Sequence, residues 1–119
     1  MIYDFYSDTK TKPSLEMRKV VLNCEVGDEQ KAEDPTTIAL CEKTAQLLGK
    51  EAAVFLPSGT MCNEIAIKVH TNPGEEIICD YNSHILNFET GGPAALSSVM
   101  IRAVHGKNGN FDSSQVEEA

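Results

Sequence analysis

A chain of 119 residues, 41% hydrophobic and 24% charged, has the length and make-up of one ordinary water-soluble domain. Its net charge of -8, with 10 basic residues scattered among 18 acidic ones, excludes a nucleic-acid groove, because phosphate contacts need clustered Lys and Arg. No run approaches the ~18–20 apolar residues that span a bilayer, and Met1-Ile2-Tyr3-Asp4 lacks the basic-then-apolar pattern of a secretory signal. A cytoplasmic protein with neither membrane nor nucleic-acid partners is expected.

In chain order, Met17, Val20, Val21 and Cys24 recur on one face of a helix that starts near Ser14 and closes at Gly27. A polar loop, 28–33, follows. Asp34-Pro35 is an N-cap with proline at the first helical position. The helix it opens lines up Ile38, Cys41, Ala45 and Leu48 and stops at Gly49. Residues 52–56 read as a short buried strand, and Pro57-Ser58-Gly59-Thr60 turns the chain into a third helix with Met61, Ile65, Ala66 and Val69 as its apolar face. After the Asn72-Pro73-Gly74 turn come a strand over 76–80, a short helix around Ile85 to Phe88, and a strand over 99–104. Gly106 to Gly109 form a loop, and Asp112 with Gln115 three residues on is a capping box for a last helix.

Strands alternating with helices predict an α/β fold with parallel strands. Cys24, Cys41, Cys62 and Cys79 lie far apart, with no Cys-x-x-Cys and no His at zinc-ligand spacing. No metal site is expected, and the thiols are read as buried and reduced.

The chemistry-bearing residues cluster at expected strand ends. Unpaired N–H groups at a helix start following a strand attract anions. There Gly59 admits a phosphate to the backbone, while Ser58 and Thr60 offer hydroxyls. The same triplet also serves as a plain helix cap. His84 follows the strand over 76–80, where α/β sheets bind ligands. Its imidazole suits stacking on a flat cofactor or moving a proton, or simple hydrogen bonding in a loop. His70 and His105 read as structural. Glu89 to Pro93 is a turn with one carboxylate and two glycines, either a ligand contact or a tight connection.

Taken together, Ser7-Asp8-Thr9-x-Thr11-x-Pro13, Glu16-Met17-Arg18, Val26-Gly27-Asp28, Glu33-Asp34-Pro35-Thr36, Leu48 to Ala53, Pro57 to Met61 with Asn63, His84-Ile85 and Glu89-x-Gly91-Gly92 resemble the N-terminal part of the threonine aldolases. The resemblance covers nearly the whole chain. It implies an aspartate-aminotransferase-like, fold-type I enzyme using pyridoxal 5'-phosphate to cleave L-threonine or L-allo-threonine to glycine and acetaldehyde. By the same resemblance Ser58, Gly59 and Thr60 bind the cofactor phosphate. His84 stacks on its ring and serves catalysis, and Ser7 helps hold the carboxylate of a small amino-acid substrate. A homo-oligomer, dimer or tetramer, is implied as well.

Departures from the family pattern are Tyr6 in place of an Arg, and Lys31-Ala32 in place of a Tyr-Gly pair that lies near the substrate. The family's Schiff-base lysine and the aspartate on the pyridine nitrogen fall beyond this length. Expected on this reading are an N-terminal arm and helix over 1–30 and the start of a large cofactor-binding domain over 31–119. The chain is then a fragment, inactive alone, with a small, mostly parallel, incomplete sheet among helices. The alternatives are a non-catalytic phosphate-ligand or interaction module, and another fold-type I lyase.

Overall fold

A computed structural model describes residues 3–119; Met1 and Ile2, where the expected N-terminal arm begins, lie outside the described residues. The chain divides into two compact units, one running to Phe55 and the other spanning Leu56–Ala119.

In the first unit, α1 (Leu15–Asn23) starts at Ser14, whose hydroxyl accepts the Met17 amide at 3.2 Å. The helix ends before the expected Gly27. Two bonds draw the following residues into an extended path: Thr36 Oγ1 donates to the Glu25 carbonyl at 2.7 Å, and the Gly27 amide donates to Asp34 Oδ2 at 3.1 Å. Gly27 lies so close to the Glu33 carbonyl that a Cβ would collide with it. This glycine therefore serves a close backbone approach and not a helix stop.

The second helix, α2 (Pro35–Leu48), matches its sequence signals. Asp34 caps the Thr37 amide at 2.8 Å, and Gly49 closes the helix at φ 62° with its amide turned back to the last carbonyls. Of the expected inward face only Ala45 is fully buried. Residues 52–56 form no strand. Along them no ladder exists among the described residues, and Val54 is 77% exposed. An extended segment without a hydrogen-bonded neighbour stays open however apolar it is.

The second unit contains α3 (Gly59–His70), β1 (Glu76–Asp80), α4 (His84–Asn87), α5 (Gly92–Ser97), β2 (Met100–Val104) and α6 (Ser113–Glu118). The two strands pair in parallel, from Glu76 opposite Met100 to Asp80 opposite Val104, so the sheet has two strands and not the three expected. The connection between them carries α4 and α5, and α5 packs against both α3 and β2. Sequence patterning missed α5. Its start lies in Gly92-Pro93 after Gly91 at φ 75°, a proline-led first turn, and it ends at Ser98 in the left-handed region. Fully buried Pro93 and Ser97, with buried Val99 and Cys79, make the small core.

The expected apolar face of α3 is mostly exposed, as Met61, Ile65, Ala66 and Val69 show. Its sheltered side carries Asn63, Glu64 and Ile67, which share a face at helical spacing. Polar groups, not an apolar stripe, therefore decide how α3 sits. Among the thiols only Cys79 is buried; Cys62 is exposed, against expectation, and Cys24 lies past the end of α1. All four are free, as expected.

Candidate active site

The site begins where the chain enters α3. Ser58 is extended, and its Oγ accepts the Met61 amide at 3.1 Å. One of the orphan donors of the first turn is thereby satisfied, leaving the Gly59 and Thr60 amides without carbonyls to reach. A Cβ on Gly59 would meet nothing within 4 Å. Packing therefore does not require a glycine there, and its side leaves room beside two free amides at the positive end of a helix dipole. An anionic phosphate fits this cradle in charge and in room, with the Ser58 and Thr60 hydroxyls beside it.

His84 opens α4 at the carboxyl end of β1, as the sequence predicted. Its Nδ1 lies 2.8 Å from Glu89 Oε1, and Asn63 Nδ2 donates to the same oxygen at 2.6 Å. Glu89 thus ties His84 to the second turn of the helix that Ser58 begins. The Glu89 side chain is wholly buried, whereas that of His84 is 60% exposed. An ionised Glu89 has no proton to give, so the hydrogen between them belongs to Nδ1, and Nε2 is left outward. The Phe88 ring, 5.3 Å away and tilted by 42°, supports one side of the imidazole. An outward-facing imidazole with a fixed edge suits a flat aromatic ring.

Burial alone would raise the Glu89 carboxyl. Hydrogen bonds from Asn63 and His84, with the Glu64 carboxyl nearby, outweigh it and hold the group below the usual carboxylate range. Glu64 shifts the opposite way, raised first by burial and then by the Glu89 carboxylate nearby. Of these two residues Glu64 escaped the sequence reading, and the pairing of Glu89 with His84 was not foreseen. Glu89 stood out only as a turn carboxylate, and Glu64 gave no signal beyond being a charge next to Asn63.

Asp80, at the end of β1, accepts the Asn82 amide and the Gly106 amide, each at 2.8 Å, and these bonds hold its carboxyl low. It braces the strand ends below the site. His105 stacks on Tyr81 with ring centroids 4.8 Å apart, and His70 ends α3. Ser7 belongs to the first unit, where it caps a short turn, Asp8–Lys10, and shares a 2.9 Å hydrogen bond with Thr9 Oγ1. Among the described residues no group of three or more His, Cys, Asp or Glu side chains is arranged to hold a metal ion, and no helix is long and apolar enough to cross a membrane.

A parallel pair of strands among helices, with His84 at the carboxyl end of β1, makes an α/β domain, and the family match below places it in the fold-type I aminotransferase class. The chain belongs to the beta-eliminating lyase family, whose model matches residues 4–119. It is similar to the low-specificity L-threonine aldolase of Eremothecium gossypii, 42% identical over 109 residues that make up 91% of this chain and 28% of that protein. The corresponding protein of Escherichia coli (strain K12) is 45% identical over 96 residues, 81% of this chain and 29% of that one. The probable low-specificity L-threonine aldolase 2 of Arabidopsis thaliana is 42% identical over 118 residues, 98% of this chain and 33% of its own length. The chain thus spans about a third or less of the curated relatives it matches.

Proposed function

We propose that these residues form the phosphate- and ring-holding part of a pyridoxal-phosphate-dependent aldolase that cleaves L-threonine or L-allo-threonine to glycine and acetaldehyde. The observation that carries the reading is the link between His84 and the helix that the Ser58–Thr60 turn begins, made by Glu89, which accepts from both His84 and Asn63 of α3. Gly59 and Thr60 amides and the Ser58 and Thr60 hydroxyls take the phosphate. His84 lies against the cofactor ring, held by its Nδ1. Bound there, the cofactor supplies the electron sink that stabilises the charge left when the Cα–Cβ bond breaks.

The imidazole Nε2 accepts the proton of the β-hydroxyl, directly or through a water. Ser7 contributes to the substrate carboxylate site. Residues 31–119 begin the large cofactor-binding domain, and the working enzyme is a homo-oligomer of cytoplasmic location. The lysine that anchors the cofactor is not among the residues that match the family here, so these 119 residues alone do not turn over.

The test is a product assay on the protein that carries this chain. With pyridoxal phosphate, L-threonine should give glycine and acetaldehyde in equal amounts. A keto acid and ammonia in their place would assign β-elimination instead.

A further inference from the structure

Glu64 is 7% exposed, and neither of its carboxyl oxygens has a hydrogen-bond donor. Glu89 is 5% exposed, with two donors on Oε1 and none on Oε2. Two buried carboxyls close enough to shift each other's titration are not both ionised, because each disfavours the charge of the other and neither brings a proton. One proton removes the conflict. On Glu64 it turns an orphaned acceptor into a donor and satisfies Glu89 Oε2 in the same bond.

The fold makes room for this contact. At position 92 a Cβ would overlap Glu64 Oε1, and only a glycine leaves the carboxyl its place beside the start of α5. No cation offers an alternative. Lys68, one turn further along α3, lines the same open groove as Glu64 but makes no ion pair with it among the described residues. The Arg102 guanidinium of β2 is held by Glu76 at 2.7 Å, Asp80 of β1 is bound by two amides, and α5 has no ionisable side chain.

We infer that Glu64 keeps a proton at neutral pH and donates an O–H hydrogen bond to the Glu89 carboxylate, so that Glu64 is a positioning residue that keeps Glu89 an anion and His84 in its Nδ1–H form. The chain then reads Glu64 carboxyl, Glu89 carboxylate, His84 imidazole, with Asn63 as a second donor to the centre. Raised titration of Glu64 and lowered titration of Glu89 agree with this division of the proton. The consequence for catalysis rests on the proposed role of His84; the proton itself does not, and it is measured without cofactor or substrate.

The experiment uses the full 119-residue chain with ¹³C at the glutamate carboxyl carbons and ¹⁵N in the imidazoles. At pH 7 one glutamate carboxyl should resonate in the protonated position, and that signal should be lost in Glu64→Gln. Glu64→Gln keeps a donor for Glu89 and should keep the Nδ1–H form of His84. Glu64→Leu, of similar volume but without a donor, should shift His84 toward Nε2–H. Circular dichroism confirms that each variant is folded. If Glu64→Leu does not fold, the carboxyl signal and Glu64→Gln still decide the matter. Full ionisation of every glutamate at pH 7, or a protonated signal that survives in Glu64→Gln, overturns the proposal. A failed aldolase assay with the carboxyl signal present would overturn the proposed function and leave the proton on Glu64 standing.

Discussion

His84 and Glu89, five residues apart in the chain, are joined Nδ1 to Oε1 at 2.8 Å, with the carboxylate wholly buried and the imidazole open to solvent. The exposed ring is therefore aimed from inside the fold. Removing the carboxylate leaves Asn63 and His84 without their shared acceptor. Glu89→Ala should destabilise the chain by roughly 1–3 kcal/mol in urea unfolding. Glu89→Gln, which still offers an amide oxygen to both donors, should cost less.

Gly92 and Glu64 occupy adjoining space, so their substitutions should not add. Gly92→Ala pushes the Glu64 carboxyl aside and should cost roughly 1–3 kcal/mol, toward the low end because that carboxyl ends a flexible side chain. In a Glu64→Ala background the same change should cost less, by about 0.5 kcal/mol or more. A double-mutant cycle from urea midpoints checks this.

Stability against pH should carry two slopes of opposite sign. Asp34 is held low by the Thr37 amide and then the Gly27 amide, so its contribution is present above the ordinary aspartate value of about 3.9 and is lost as pH falls through its lower folded value. Asp34→Asn should flatten that acid-side loss. Glu64 is raised by burial, so its contribution is complete below the ordinary glutamate value of about 4.3 and declines as pH rises from there toward its higher folded value. Glu64→Gln should remove the decline. Urea midpoints between pH 3 and 8 separate the two.

Local chemistry made much of this fold legible in the sequence. Ser14, Asp34, Ser58 and Asp112 are caps whose partners lie within three residues, and each cap forms. Features that depend on distant partners were not legible. Residues 52–56 have the composition of a strand, but a strand also needs a neighbour. The inner face of α3 holds Asn63 and Glu64 because Glu89, 26 residues beyond Asn63, and Gly92 meet it there. His84 was visible as a residue after a strand. The buried carboxylate that orients it stood in a glycine-rich turn that periodicity does not describe.

The phosphate turn separates folding from binding. Ser58→Ala removes the bond to the Met61 amide and should cost about 1 kcal/mol of stability. Gly59→Ala meets no neighbour, so stability should hold or rise by up to about 1 kcal/mol. In the protein carrying this chain, Gly59→Ala should nonetheless weaken pyridoxal phosphate more than pyridoxal, which lacks the phosphate. Fluorescence titration of both ligands reads the difference.

The most direct measurement is kcat for L-threonine cleavage by the cofactor-loaded protein carrying His84→Phe. Phenylalanine keeps a flat ring against the cofactor but has no nitrogen to take a proton. The cofactor should remain bound and kcat should fall by roughly 10²–10⁴-fold, the usual weight of a positioned acid–base group. A loaded His84→Phe enzyme that cleaves L-threonine at the unaltered rate would contradict the assignment of His84 as the proton acceptor of this site.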